Sequence, residues 1–188
     1  MIKDEIQKCL SVLKTGGIIL YPTDTIWGLG CDATQPLSIA KIQQLKNRPN
    51  NKSMILLFAN WIQVADYFGD LGKLPTIAKQ YTDRPTTFVF YPITNDYPYL
   101  LAPDGSIAIR VTAESFSQQL CLALNAPLIS TSANLTDQPA PHIFADIDEQ
   151  IKQGVDYIVN YGQQVTQPIP ASRIIKYITN QPLTIIRD

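Results

Sequence analysis

GIILYPTDTIWGLGCDA, residues 17–33, decides what kind of fold this sequence can build. It opens on the apolar run Gly17 to Leu20, which reads as a short buried strand. Pro22, Thr23, Asp24 and Thr25 follow, and then Gly28 to Ala33, which matches the pattern G-x-G-x-x-A. In a dinucleotide-binding βαβ unit those glycines stand in the tight turn that joins strand directly to helix. Here PTDTIW intervenes, and the next helix is delayed to Pro36, a good first-turn residue. The match is a coincidence of composition, and no G-x-x-x-x-G-K-[ST] run is present to form a P-loop. Any nucleotide must then be held by side chains and irregular backbone. PTDT is expected to form one wall of a ligand cavity, with the glycines letting the backbone pass close to the ligand.

Outward from that stretch the chain alternates helical and strand-like periods. Ile2, Ile6, Cys9, Leu10 and Leu13 recur at helical spacing, and Gly16-Gly17 supply a stop. A second helix is expected from Pro36 to about Lys46, with Pro49 ending it. SMILLFA (53–59) is a continuous apolar run and predicts a buried strand, followed by a helix in NWIQVADYF (60–68). TTFVFY (86–91), SIAIRV (106–111) and PLIST (127–131) predict further strands, and Glu114 to Asn125 has helical spacing. The tail offers a helix near Ile143 to Lys152 and late strands in YIVN (157–160), ASRIIKY (171–177) and LTIIRD (183–188). This alternation over 188 residues, 45% of them hydrophobic and with no repeat or linker, predicts one α/β domain over residues 1–188.

Composition narrows the function classes. Cys9, Cys31 and Cys121 are odd in number, widely spaced and without a C-x-x-C pair, so neither a disulfide framework nor a zinc site is expected. The N-terminus, MIKDEIQKCL, carries acids where a signal peptide needs an apolar stretch, and no apolar run approaches the ~18 residues of a membrane span. A soluble, cytoplasmic protein with free thiols and no membrane association is expected. A net charge of −1 argues against non-specific nucleic-acid binding through overall charge, so an RNA partner would be met by a local patch.

Three further polar stretches each admit two readings. KNRPNNKS places Lys46, Arg48 and Lys52 at a helix end and turn, which suits either phosphates or a solvated helix C-terminus. SIAIRV puts Arg110 inside an apolar strand, facing either a pocket or solvent at an edge. LISTSAN lines up Ser130, Thr131, Ser132 and Asn134 after a buried strand, as ligand contacts or as ordinary turn chemistry.

Taken in order with PTDTIWGLGCDA, the late PASRII and TIIRD, these stretches make the chain resemble the YrdC/TsaC family of threonylcarbamoyl-AMP synthases over nearly its whole length. The resemblance implies a single-domain α/β fold, a twisted mixed β-sheet with flanking helices and a concave basic cavity. It implies synthesis of L-threonylcarbamoyl-AMP from L-threonine, bicarbonate or CO2, and ATP, for N6-threonylcarbamoyladenosine at position 37 of tRNA. Partner proteins would carry out the transfer step, and direct tRNA contact would be weak and local. Motif by motif it assigns Thr25, Arg110, Ser130 and Ser172 to threonine. It assigns Lys46, Arg48, Lys52, Ser106, Ser132, Asn134 and Arg187 to ATP, the first three also as the catalytic cations. Three positions depart from the family pattern. YTDRPTTF keeps Pro85 and Thr87 without the usual Trp and Gly, Leu135-Thr136-Asp137 replaces serine-glycine, and Ser172-Arg173 replaces serine-threonine.

The implied chemistry asks for alignment and charge relief rather than a covalent nucleophile. Lys46, Arg48 and Lys52 suit phosphates, and the planar fork of Arg110 suits a carboxylate. The single His142, beside Pro141, has no companion ligand and is expected at the surface. Asp24 and Asp32 are expected in turn or cap roles, with Mg2+ arriving on ATP and no protein metal site. Tyr21, Trp27, Phe58 and Trp61 are expected in the core. The competing reading is a non-catalytic RNA-binding or ribosome-assembly protein using the same hollow. A carbamoyl-phosphate-using relative is a third, against which the missing partner domains and zinc-finger cysteines count.

Overall fold

The architecture comes from a computed structural model that describes residues 2–47, 54–92, 96–165, 167 and 169–188. Arg48, Pro49 and Lys52, expected to act on phosphates or to stop a helix, lie outside the described residues.

Helix α1 (Ile2–Lys14) buries Ile6, Cys9, Leu10 and Leu13 on one face and ends at Gly16, whose φ of 79° suits glycine. Strand β1 (Ile19–Tyr21) follows, then β2 (Gly28–Asp32). The glycine run is thus a fully buried strand, which the sequence did not announce. Helix α2 (Pro36–Leu45) starts on its proline as expected. Strand β3 (Ile55–Phe58) leads into α3 (Trp61–Phe68), where Asn60 Oδ1 accepts from Gln63 N at 2.8 Å as the N-cap. A short α4 (Leu74–Ala78), which no sequence signal predicted, precedes β4 (Thr86–Phe90) and β5 (Ile107–Val111). Helix α5 (Ser115–Leu124) is capped by Glu114 at its start and by left-handed Asn125 at its end. Strand β6 (Leu128–Ser132) completes the centre of the sheet. The helix expected near 143–152 is a 3-10 turn, Phe144–Asp146, followed by α6 (Glu149–Gln153), because Asp148 caps a new start between them. The late strands are β7 (Tyr157–Ile158), β8 (Arg173–Lys176) and β9 (Thr184–Arg187).

The nine strands of the described residues form one mixed sheet in the order β7-β1-β2-β6-β3-β5-β4-β8-β9. β1/β7, β3/β5 and β4/β8 are parallel and the other five pairs antiparallel, three of them in a row at the centre. Because strand side chains alternate between faces, sequence parity sorts them into two layers. Leu29, Leu56, Phe58, Phe88, Phe90, Ile107, Ile109, Ile129 and Ile175 share one core with Ile39, Ile42, Val64, Phe68, Leu74 and Ile151 from α2, α3, α4 and α6. On the opposite face Ile19, Tyr21, Leu57 and Leu128 pack under Phe116, Leu120 and Cys121 of α5 and Cys9 and Leu13 of α1. Those two helices cover only one end of that face. Farther along the same strands, at Ser130 after Leu128 and at Ile55 before Leu57, the face opens into a cavity.

Candidate active site

The cavity is about 470 Å³ and is floored by the sheet, within the ~300–1,000 Å³ range usual for small-molecule sites. Strand parity brings Gly28, Ile55, Ser130, Ser132, Ala108, Arg110, Thr87 and Val89 to it from β2, β3, β6, β5 and β4. Ser172 and Ile174 enter from the β8 side, and Ile186 and Arg187 from edge strand β9. Thr23 and Thr25 form the wall expected of PTDT. Pro22 and the turn after it carry the chain across the open end of β1 and β2, and Thr23 Oγ1 ties the turn together. It donates to Ile26 O at 2.8 Å, accepts from Thr25 N at 3.0 Å and lies 3.0 Å from Thr25 Oγ1.

Arg110 is 4% exposed, on a strand paired on both sides, so it faces the cavity and not solvent at an edge. Its Nη2 lies 3.2 Å from Asp24 Oδ1. Asp24 Oδ2 also accepts from Thr112 Oγ1 at 3.4 Å, so Asp24 is a counter-ion that holds the guanidinium from the PTDT side. Arg110 Nε is buried without a hydrogen-bond acceptor among the described residues, and a ligand carboxylate would supply one. Arg187, at the rim, donates through Nε and Nη2 to Ser172 O at 2.9 and 2.7 Å. Ser172 Oγ lies 2.9 Å from Thr87 Oγ1, and both residues are fully buried. Burial and the neighbouring charges of Arg110 and Arg84 hold the Arg187 guanidinium below its ordinary range. Two cations therefore act on the same space, and an anion would relieve both.

Thr25, Arg110, Ser130, Ser132, Ser172 and Arg187 are thus brought together as expected, whereas Lys46, Asn134 and Ser106 are not at the cavity wall. Lys46 is 1% exposed, and its Nζ donates to the carbonyls of Ser132 and Asn134, while its own carbonyl accepts from Thr136 N at 2.8 Å. These contacts tie Lys46 to the Ser132–Thr136 turn. Asn134 turns inward, donating to Leu135 O and Gln138 O at 2.9 and 2.6 Å. Ser106 donates to Asp104 Oδ1 at 2.6 Å. Thr87 is a site residue that the sequence analysis left without a role, and Asp24, expected in a turn or cap, is the counter-ion of Arg110. They belong to TTFVFY and PTDT, and only the fold brings those segments together.

Among the described residues no thiol or imidazole lines the site. The three thiols are buried, and burial pushes Cys9 and Cys121 up to about 12 and Cys31 higher still. His142 is exposed, 3.3 Å from Ile169 O. Asp32 is occupied as a turn acceptor for Thr34 N and Oγ1 at 2.8 and 2.7 Å. Among the described residues no three His, Cys, Asp or Glu side chains converge as a metal site, and no helix is long and apolar enough to cross a membrane. Orientation and charge neutralisation are what this cavity can supply.

Fold and cavity together define a class: a mixed-sheet α/β protein with a cavity lined by a buried guanidinium and hydroxyl side chains on an uncovered sheet face. The chain belongs to the Sua5/YciO/YrdC family, whose model, described as "Telomere recombination", matches residues 11–188. It is 35% identical over 161 residues to threonylcarbamoyl-AMP synthase of Photobacterium profundum, covering 83% of this chain and 86% of that protein. Its fold is similar to that of P. abyssi Sua5 complexed with L-threonine (TM-score 0.82, 20% identity), covering 97% of this chain and 53% of Sua5, so the chain spans about half of Sua5. It is equally similar in fold to E. coli YciO (TM-score 0.82, 22% identity), covering 100% of this chain and 90% of that one.

Proposed function

We propose that this protein is an L-threonylcarbamoyl-AMP synthase, a nucleotidyltransferase that joins L-threonine, bicarbonate or CO2, and ATP with release of pyrophosphate. The observation that carries it is the cavity around Arg110, where a buried guanidinium with an unsatisfied Nε is ringed by Thr25, Ser130 and Ser172. That set suits an amino acid bearing a carboxylate and a hydroxyl. Its relatives' activity supports the same reading.

In this reading the threonine amine adds to CO2 and loses a proton to give a carbamate. A carbamate oxygen then forms a bond to the α-phosphorus of ATP as the bond to pyrophosphate breaks. Arg110 holds the carboxylate, and the ring of hydroxyls fixes the amino acid so that its amine faces the nucleotide. Ser132 and Arg187 meet phosphate oxygens, and the family resemblance adds Lys46, Arg48 and Lys52 as phosphate-binding cations. Mg2+ comes with the triphosphate, held by phosphate oxygens and water. The rate enhancement rests on alignment and on cations placed where charge develops. The product would serve N6-threonylcarbamoyladenosine formation on tRNA in the cytoplasm, with partner proteins doing the transfer.

The test is pyrophosphate release from Mg-ATP by the purified protein. Release is expected only when L-threonine and bicarbonate are both present, with threonylcarbamoyl-AMP as co-product. Tight RNA binding without such turnover would overturn the synthase in favour of an RNA-binding protein.

A further inference from the structure

Tyr21 is the last residue of β1 and has no exposed surface; its ring belongs to the core beneath α1 and α5. Its hydroxyl nevertheless donates to Ser130 Oγ at 2.8 Å, at the point where that core meets the cavity. Ser130 is on β6, and β2 lies between the two strands, so the phenol bridges two strand spacings, about 10 Å.

The bridge exists because β2 carries glycine where the ring passes. Tyr21 pairs with Gly28, and Gly30 pairs with Ser130. A Cβ on Gly30 would sit 2.9 Å from Tyr21 Cε1 and 3.2 Å from Ile129 O, and one on Gly28 would sit 3.3 Å from the same ring carbon. The G-L-G of residues 28–30 is therefore a bed for the Tyr21 ring.

We propose that Tyr21 is a positioning residue: by donating to Ser130 Oγ across the two glycines, it commits the Ser130 hydroxyl to donate its own proton into the cavity, to an anionic oxygen of the ligand. The backbone of Ser130 is fixed by pairing with β2 and β3 on either side, so its side-chain torsions are what remain to be set. Among the described residues Ser130 Oγ has no second hydrogen-bond partner, which leaves its proton for the ligand. Burial raises the Tyr21 phenol well above its ordinary range, so it stays a donor across the working pH of the fold. An acceptor such as the threonine carboxylate is thereby favoured at that place over a donor. This inference rests on the synthase reading, in which Ser130 touches threonine.

The experiment is a double-mutant cycle of wild type, Tyr21→Phe, Ser130→Ala and the double variant, with KM measured for L-threonine and for ATP. Tyr21→Phe should raise the threonine KM about three- to tenfold and leave the ATP KM within about twofold. In the Ser130→Ala background it should do nothing further. An equal effect of Tyr21→Phe in both backgrounds, or an equal rise for ATP, would overturn the proposal. Gly30→Ala presses on the ring without removing the hydroxyl and should give the same threonine-selective rise, so it serves if Tyr21→Phe fails to fold; a folded Gly30→Ala without that rise is equally fatal. A wild type that releases no pyrophosphate fails the synthase reading itself. The same four proteins are then titrated calorimetrically with L-threonine, where the same cycle must appear, and no binding by the wild type overturns this proposal as well.

Discussion

Arg110 and Lys46 are both buried cations, and their described surroundings differ. Among the described residues Arg110 pairs with Asp24 and its Nε has no hydrogen-bond acceptor, whereas the Lys46 ammonium donates to the Ser132 and Asn134 carbonyls. Loss of a charged hydrogen-bond partner is worth about 1.5–3 kcal/mol, so Arg110→Ala should weaken L-threonine about ten- to a hundredfold while moving ATP far less. Arg110→Lys keeps the charge but not the fork and should recover only part of that. Isothermal titration with each ligand reads both. Lys46→Met should instead lower the melting temperature of the unliganded protein by several degrees, since it removes the donor to the half-buried Ser132 and Asn134 carbonyls, at a cost of about 1–3 kcal/mol in all. A surface phosphate ligand would have left that temperature level, so a melting curve without ATP separates the two roles.

Helices α3 and α5 depend on their first turns. Asn60 accepts from Gln63 N at 2.8 Å, and Glu114 accepts from Phe116 N and Ser117 N at 2.9 and 2.7 Å. Replacing either cap by Ala should cost about 1 kcal/mol, or about 2–4 °C in melting temperature for a chain of this size, with threonine and ATP KM unchanged. Strands β2 and β6 show why some elements were legible and others not. LISTS reads as a strand because its apolar half is continuous, but GLGCD has no β-branched or aromatic residue to announce one. Its pairing with β1 and β6, and the ring of Tyr21 laid over it, supply what its own composition lacks.

Across the whole molecule, Glu5 joins the first helix to residues more than 150 positions later. It accepts from Tyr157 Oη at 2.7 Å, from Asn160 N at 2.9 Å and from Lys8 Nζ at 3.0 Å. Burial alone would raise its carboxyl, but these three donors outweigh it and hold the group below its ordinary value of 4.5. A carboxyl depressed in the folded state stabilises the fold above its unfolded pKa and loses that contribution as pH falls through the folded one. Glu5→Gln should therefore be less stable than wild type at neutral pH, with the difference shrinking on acidification. Melting curves between about pH 3 and pH 7 check this, and a gap independent of pH would assign the loss to packing instead.

The sequence by itself determined the alternation of helices and strands, because apolar period and caps are local properties, and it singled out PTDT, SIAIRV and STSAN as polar residues set in or beside apolar strands, each open to two readings. It could not say which face each strand would bury. Leu128 and Ser130 lie two residues apart on one face of β6, yet one is under α5 and the other in the cavity, since helix coverage ends between them. The same holds for the cations: Lys46 and Arg110 look alike as isolated charges, and only the carbonyls or the open space around each one tells them apart. Tertiary structure decided these points because burial and hydrogen-bond partners belong to pairs of segments far apart in the chain, and a single stretch carries no record of its partner.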